Sequence, residues 1–308
     1  MATLGALGLA VAAAVGGGQA MVRQLAVPGG QVSYEVSGPE DGRVVVCLPG
    51  LGDTRGQWRA VVPHFVAAGY RVVLVDLRGM GDSAPTFASY RPKDTGADVV
   101  ALMEALDARD VVVMGNSFAA AAAVWAAAQA PQRVGALVLT GPFVRAVEAP
   151  LALRVLLEVL FTGPWGPAAW MAYYKTLYVG VRPPDQDAHL QALRGNLDTP
   201  GRMAVLRAMM RASKAPAAAR AGQVTAPTLV VMGSKDPDFK DPAAEAALVA
   251  TMLRGEVWMV DGAGHYPQAE QPAALVEKTL QFLEGHNHGH QGGTVSTTRD
   301  HGGHGTGG

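Results

Sequence analysis

A chain of 308 residues is long enough for one large domain or two modest ones, and with 49% hydrophobic residues it has ample apolar surface to bury. Its formal net charge of −1 and its lack of a Lys/Arg cluster give no reason to expect nucleic acid or an anionic membrane as partner. The single cysteine, Cys47, excludes an internal disulfide and reads as a small buried hydrophobe, which fits a reducing, cytoplasmic location.

Residues 1–22 form an apolar Ala/Gly-rich leader with no positive charge before Arg23. The apolar part falls short of the roughly 20 residues a spanning helix needs, so no stable membrane insertion is expected. It reads as a disordered leader or an upstream start ahead of Met21, with an atypical signal or anchor as the alternative. Gln24–Val27 and Gln31–Val36, split by Pro28-Gly29-Gly30, predict a hairpin. Apolar runs at Val44–Leu48, Arg71–Leu77, Val111–Met114, Ala136–Leu139, Thr228–Met232 and Glu256–Val260 suit strands buried on both faces. Helical patterns over Asp94–Leu106, Phe118–Ala130, Ala243–Leu253 and Ala273–Leu283 alternate with them, which predicts an α/β architecture.

Between 145 and 221 the alternation stops. Pro150–Phe161, Trp165–Tyr178, Ala188–Leu197 and Met203–Ala212 read as helices, so the expected organisation is a core of 23–144 and 222–284 interrupted by a helical insertion at 145–221. The aromatic and methionine residues of the insertion are core or pocket lining, and the sequence does not separate the two. The stretch 285–308, with His286, His288, His290, His301 and His304 among Gly, Ser and Thr, has too few apolar groups to fold and reads as a disordered tail.

Gly115-Asn116-Ser117-Phe118-Ala119 joins an apolar strand to an Ala-rich helix, the context of a nucleophile elbow; Ala119 stands where Gly is more common. The alternative is a serine capping the helix. A serine nucleophile needs a base, and His265, on the Gly-rich loop after the last strand, is preferred over His64 and His189. The base needs an acid; Asp236, after the penultimate strand, is preferred over Asp238. An oxyanion hole is expected from the backbone N–H groups of Phe118 and of Leu51 in Pro49-Gly50-Leu51-Gly52. With an unperturbed imidazole, activity would fall on acidification through roughly pH 6.5.

In that order these motifs resemble the α/β-hydrolase superfamily, and within it the capped lipase, esterase and lactonase-like serine hydrolases. Leu48–Gly52 is similar to its oxyanion loop, with Pro49 for the frequent His, and Asp76-Leu77-Arg78-Gly79-Met80-Gly81-Asp82-Ser83 to a segment in which Arg78 and Ser83 would tie loops together. The resemblance covers about Gln24 to Leu283. It implies a mostly parallel twisted sheet with helices on both faces, the insertion at 145–221 as a helical cap, and cleavage of an ester-type acyl bond in a small to medium apolar substrate through an acyl-enzyme, with no metal or organic cofactor. Family members with an Asp nucleophile, dehalogenases and epoxide hydrolases, are disfavoured by Ser117. Alternatives are a cofactor-free perhydrolase, a C–C bond hydrolase, or a ligand-sensing protein that keeps the triad. A small molecule is the expected partner, and the sequence leaves the oligomeric state open.

Overall fold

The structure, a computed structural model, describes residues 21–145 and 151–287. The leader to Ala20 and His288, His290, His301 and His304 lie outside the described residues. Eight strands form one sheet in the order β1-β2-β4-β3-β5-β6-β7-β8: β1 (Arg23–Val27), β2 (Gly30–Ser37), β3 (Val44–Leu48), β4 (Arg71–Val75), β5 (Val111–Asn116), β6 (Val134–Thr140), β7 (Thr228–Gly233) and β8 (Glu256–Val260). The β1–β2 and β2–β4 pairs are antiparallel and all others parallel. The antiparallel hairpin is thus an edge appended to a parallel core, as the sequence pattern predicts.

Both faces of β3 to β7 are buried, which is why their sequences are continuously apolar, whereas β8, the edge strand, departs from the expected burial: Glu256 and Val257 are exposed. In β3, Val44, Val46 and Leu48 face a cluster with α2 (Pro92–Ala105), α3 (Phe118–Gln129) and α9 (Pro242–Leu253). Val45 and Cys47 face the opposite cluster, made with Trp58, with Phe65 of α1 (Val62–Ala67) and with α11 (Pro272–Asn287). Cys47 is fully buried, and burial pushes its thiol pKa well up, so it stays protonated.

Most predicted boundaries shift by a residue or two, and two of the shifts are instructive. Strand β4 stops at Val75 rather than Leu77, because the Asp76 carboxylate turns into the following loop and accepts the Arg55 N–H (2.7 Å) and the Asp82 N–H (3.0 Å). Helix α11 continues past Leu283 to Asn287, which places Gly285 and His286 on the helix rather than in a tail. The His286 ring packs on Phe282, one turn earlier, at 4.4 Å between centroids.

Between β6 and β7 the described chain is helical: α4 (Leu151–Leu160), α5 (Gly166–Thr176), α6 (Gln186–Leu197), α7 (Arg202–Arg211) and the single turn α8 (Ala215–Ala218). Trp170, Tyr174, Leu193, Leu206 and Met209 join the first cluster, so this insertion shares its core with the sheet. Trp165 and Tyr173 stay exposed. The loops after β3, β5, β6, β7 and β8 all leave the same edge of the sheet, and β3 is flanked by β4 on one side and β5 on the other, the kind of switch point where open α/β sheets bind ligands.

Candidate active site

Ser117 is the single residue between β5 and α3. Its backbone lies at φ 54° and ψ −120°, a strained conformation for a non-glycine residue, and its side chain makes no capping hydrogen bond to the helix. The capping alternative therefore fails. The turn is held by Ser117 N–H donating to Thr140 O (2.9 Å) and by Phe143 N–H donating to Ser117 O (3.1 Å).

His265 and Asp236 come from the loops after β8 and β7, and both are buried. Their side chains meet at 2.7 Å, His265 Nδ1 to Asp236 Oδ2, so the carboxylate fixes Nδ1 as the protonated nitrogen. Asp236 also accepts the Asp238 N–H at 3.0 Å, so it forms a local turn and holds the imidazole at once. Asp238 sits on the other side of the ring, with Oδ2 3.7 Å from Nε2, and the Tyr173 hydroxyl donates to its second oxygen at 2.5 Å. Burial alone would lower the His265 pKa. Asp236, with help from Asp238 and Glu270, outweighs it and pushes the value up to about 9, well above the unperturbed value assumed from sequence. Asp236, Asp238 and His265 are also close enough to share a cation, their ligand atoms lying within 4.8 Å of one another, but Asp236 and His265 are already committed to each other.

The His265 loop is tied directly to the Ser117 turn. Asn116, immediately before Ser117, donates through Nδ2 to Thr140 O (3.1 Å), Thr140 Oγ1 (3.0 Å) and His265 O (3.2 Å). Gly141, at the end of β6 with φ 50°, packs beneath the pair: a Cβ there would lie 2.9 Å from His265 Nδ1 and Cε1 and 3.1 Å from Asp236 Oδ2. Sequence reasoning missed both. A polar Asn closing an otherwise apolar strand, and a Gly at a strand end beside the elbow, are the signals that could have found them.

Of the two expected backbone donors, Phe118 opens α3, so its N–H has no intrahelical acceptor. Leu51 lies in the turn after β3. Gly50 N–H, the preceding donor, is already bound to Gln57 Oε1 at 3.2 Å. The Phe143 ring stacks on Phe239 at 4.6 Å between centroids, and both lie close to His265, at 6.1 and 6.4 Å. The Lys214 ammonium lies 5.9 and 5.8 Å from the Phe118 and Phe143 ring centroids, and burial lowers its pKa. The rival histidines are elsewhere: His64 is exposed on α1, and His189, on α6, is buried against Asp53 and Tyr174. Arg78 makes paired bonds to Asp98 (2.8 and 2.6 Å), and Ser83 bridges Ser33 N–H and Asp76 O, so both tie loops together.

Comparison with known proteins agrees with this architecture. Residues 43–272 match the family described as alpha/beta hydrolase fold. A 2-hydroxy-6-oxononadienedioate/2-hydroxy-6-oxononatrienedioate hydrolase of Paraburkholderia xenovorans (strain LB400) is 30% identical over 271 residues, covering 82% of this chain and 90% of the relative. Among solved structures, a bromoperoxidase from Bacillus anthracis superposes with a TM-score of 0.73 at 20% identity, covering 83% of this chain and 96% of its own. The esterase RhEst1 from Rhodococcus sp. ECU1013 gives 0.70 at 22% identity, covering 85% and 98%. At those identities the structures speak to the fold, whereas the matched family model spans most of the sequence: the chain belongs to the α/β-hydrolase fold family.

Proposed function

We propose that this member of the hydrolase family is a serine hydrolase that cleaves an ester-type acyl bond of a small to medium, largely apolar substrate through an acyl-enzyme. The observation that carries this reading is the strained Ser117 elbow hydrogen-bonded, through Asn116, to the loop of a buried His265–Asp236 pair. Neutral His265 takes the Ser117 proton on Nε2 as the hydroxyl oxygen attacks the carbonyl carbon. Asp236 holds Nδ1–H and stabilises the imidazolium. The N–H groups of Leu51 and Phe118 receive the oxyanion. The imidazolium then protonates the leaving group; in the second half His265 takes a proton from water as the water oxygen attacks the acyl carbon, and returns it to Ser117 Oγ as the Oγ–acyl bond breaks, releasing the acid and regenerating the Ser117 hydroxyl and neutral His265. The insertion at 145–221 acts as a cap, with the stacked Phe143 and Phe239 rings beside His265 against the apolar part of the substrate.

The test is hydrolysis of p-nitrophenyl esters of graded chain length by the wild type and Ser117→Ala. Turnover should fall on the order of a millionfold in the variant with its fold intact, and fluorophosphonate labelling should disappear. Undiminished labelling in the folded variant would reject Ser117. A stoichiometric burst without turnover would favour a ligand sensor.

A second reading is supported by the relative from Paraburkholderia xenovorans, whose name describes a hydrolase of 2-hydroxy-6-oxo dienedioates. Cleavage of such a compound much faster than of any ester would move the substrate from esters to C–C bonds.

A further inference from the structure

The turn expected to carry one oxyanion donor is held by a buried polar chain that the catalytic steps above do not use. Asp53 is fully buried at the end of that turn. Its Oδ1 accepts the Thr54 N–H at 2.7 Å, and its Oδ2 accepts the Gln57 amide (2.7 Å) and the Tyr174 hydroxyl (2.5 Å). His189 Nε2 lies 3.0 Å from the Tyr174 oxygen and 3.5 Å from Asp53 Oδ1. Thr54 and Gln57 belong to the core, whereas Tyr174 and His189 belong to insertion helices α5 and α6.

The donors and acceptors run in one direction. Tyr174 spends its proton on Asp53, so its oxygen accepts from its other neighbours, the Tyr178 hydroxyl at 3.3 Å and His189 Nε2 at 3.0 Å; facing two oxygens, those of Tyr174 and Asp53, His189 Nε2 carries the proton. Burial lowers the His189 pKa, consistent with a neutral ring. At the other end, Gln57 gives its NH₂ to Asp53, which turns its carbonyl oxygen to Gly50 N–H. A reversed amide would set two donors against each other at Gly50 and two acceptors at Asp53. The chain from the insertion thus runs through Asp53 and Gln57 to the Pro49–Gly50 peptide unit, and Asp53 N–H holds the next unit, which carries Leu51 N–H, by donating to Gly50 O at 3.3 Å.

Apolar packing clamps the same turn independently. Gly52 sits at φ 67°, and a Cβ there would lie 2.6 Å from Leu206 on α7 and 2.9 Å from the Trp170 ring on α5. A buried carboxylate held by neutral donors is a poor way to stabilise a fold, since well-packed apolar groups usually do at least as well. Its geometry is suited to specifying one arrangement of the turn.

We infer that Asp53, Gln57, Tyr174 and His189 are positioning residues through which the helical insertion sets the oxyanion turn, so that the Leu51 N–H is aimed at the reacting carbonyl only when α5 and α6 are seated. This rests on the acyl-transfer reading above. None of the four touches the reacting atoms; they act through the turn. Binding of the acyl group and formation of the oxyanion are thus separable, and only the second depends on the chain.

The experiment compares wild type, Gln57→Leu, Tyr174→Phe, the double variant and His189→Leu with His189→Gln, all in the full chain. It uses p-nitrophenyl butyrate as substrate and an alkyl trifluoromethyl ketone as an inhibitor that forms an oxyanion on the serine. Each single loss should lower kcat about tenfold or more, short of the factor on the order of 10²–10³ that removal of a whole donor costs. KM should stay within about twofold, and the ketone Ki should rise in step with the fall in kcat/KM. The double variant should be little worse than Gln57→Leu, because both break one chain. His189→Gln, which keeps an N–H donor, should recover activity relative to His189→Leu. Folded variants with wild-type kcat, or losses confined to KM or melting temperature, would overturn the inference. Where Gln57→Leu fails to fold, Tyr174→Phe, which removes one oxygen, carries the same readouts. A wild type that neither cleaves esters nor binds the ketone would bring down the acyl-transfer reading, and the inference with it.

Discussion

The φ and ψ of Ser117 cost on the order of 1–3 kcal/mol in a residue other than glycine, and the surrounding hydrogen bonds from Phe143 and to Thr140 hold it there. The His265 ring experiences a comparable bias, towards charge. With a pKa pushed up to about 9 by Asp236, Asp238 and Glu270 against the effect of burial, the free base is scarce at neutral pH. A general base must be neutral to act, so kcat/KM should climb with pH and level off only above about 9. Asp238→Asn removes a charge 3.7 Å from Nε2 and should move that limb to lower pH, whereas Asp236→Asn should abolish most turnover. A pH–rate profile flat from 6 to 9 would count against this assignment of the base. Ser117, Asp236 and His265 were legible because each sits in a local string with its own turn chemistry. The roles of Asn116 and Asp53 were not: their partners, His265 and Tyr174, are 149 and 121 residues away, and although a polar Asn closing an apolar strand stands out, no local pattern names the partner of either.

Among the elements, the strands were the most legible, since burial on both faces leaves an unbroken β-branched run. Their ends were less so: Asp76 leaves β4 for a side-chain reason that no periodicity records. In the insertion the helices were readable, but not which face of each was buried, because an amphipathic stripe names no partner. The end of β6 illustrates how an element's terminus serves the site. Gly141→Ala would set a methyl 2.9 Å from the His265 ring at a φ that costs an L-residue about 1–2 kcal/mol. The ring must then move, and kcat should fall on the order of a hundredfold. Ester turnover and thermal melting of the purified variant would check both effects; unchanged kcat would mean that the loop yields without disturbing the pair.

The whole molecule is one twisted sheet whose site-bearing loops converge at one edge, with the insertion laid across them. The family's layout followed from the order of the motifs, but the buried polar ties that lock loops to helices required coordinates. Arg78 and Asp98, both buried, join the loop after β4 to α2. Arg78→Met would leave a buried carboxylate uncompensated and should cost about 3–5 kcal/mol in urea unfolding at neutral pH. The deficit should shrink on acidification as Asp98 becomes neutral, and a pH-independent loss would point to packing instead.

Helix α5 and the chain just beyond it are anchored at both shores of the site. Tyr174 binds Asp53 on the turn after β3, Tyr173 binds Asp238, the Leu177 carbonyl accepts His265 N–H at 2.9 Å, and Gly180 N–H reaches Glu270 at 2.6 Å. Swinging that helix aside would break these bonds together, at roughly 0.5–1.5 kcal/mol each and more where a carboxylate accepts. It is therefore a fixed lintel and not a door. Under the acyl-transfer proposal, a substrate would have to reach Ser117 with this helix left in place.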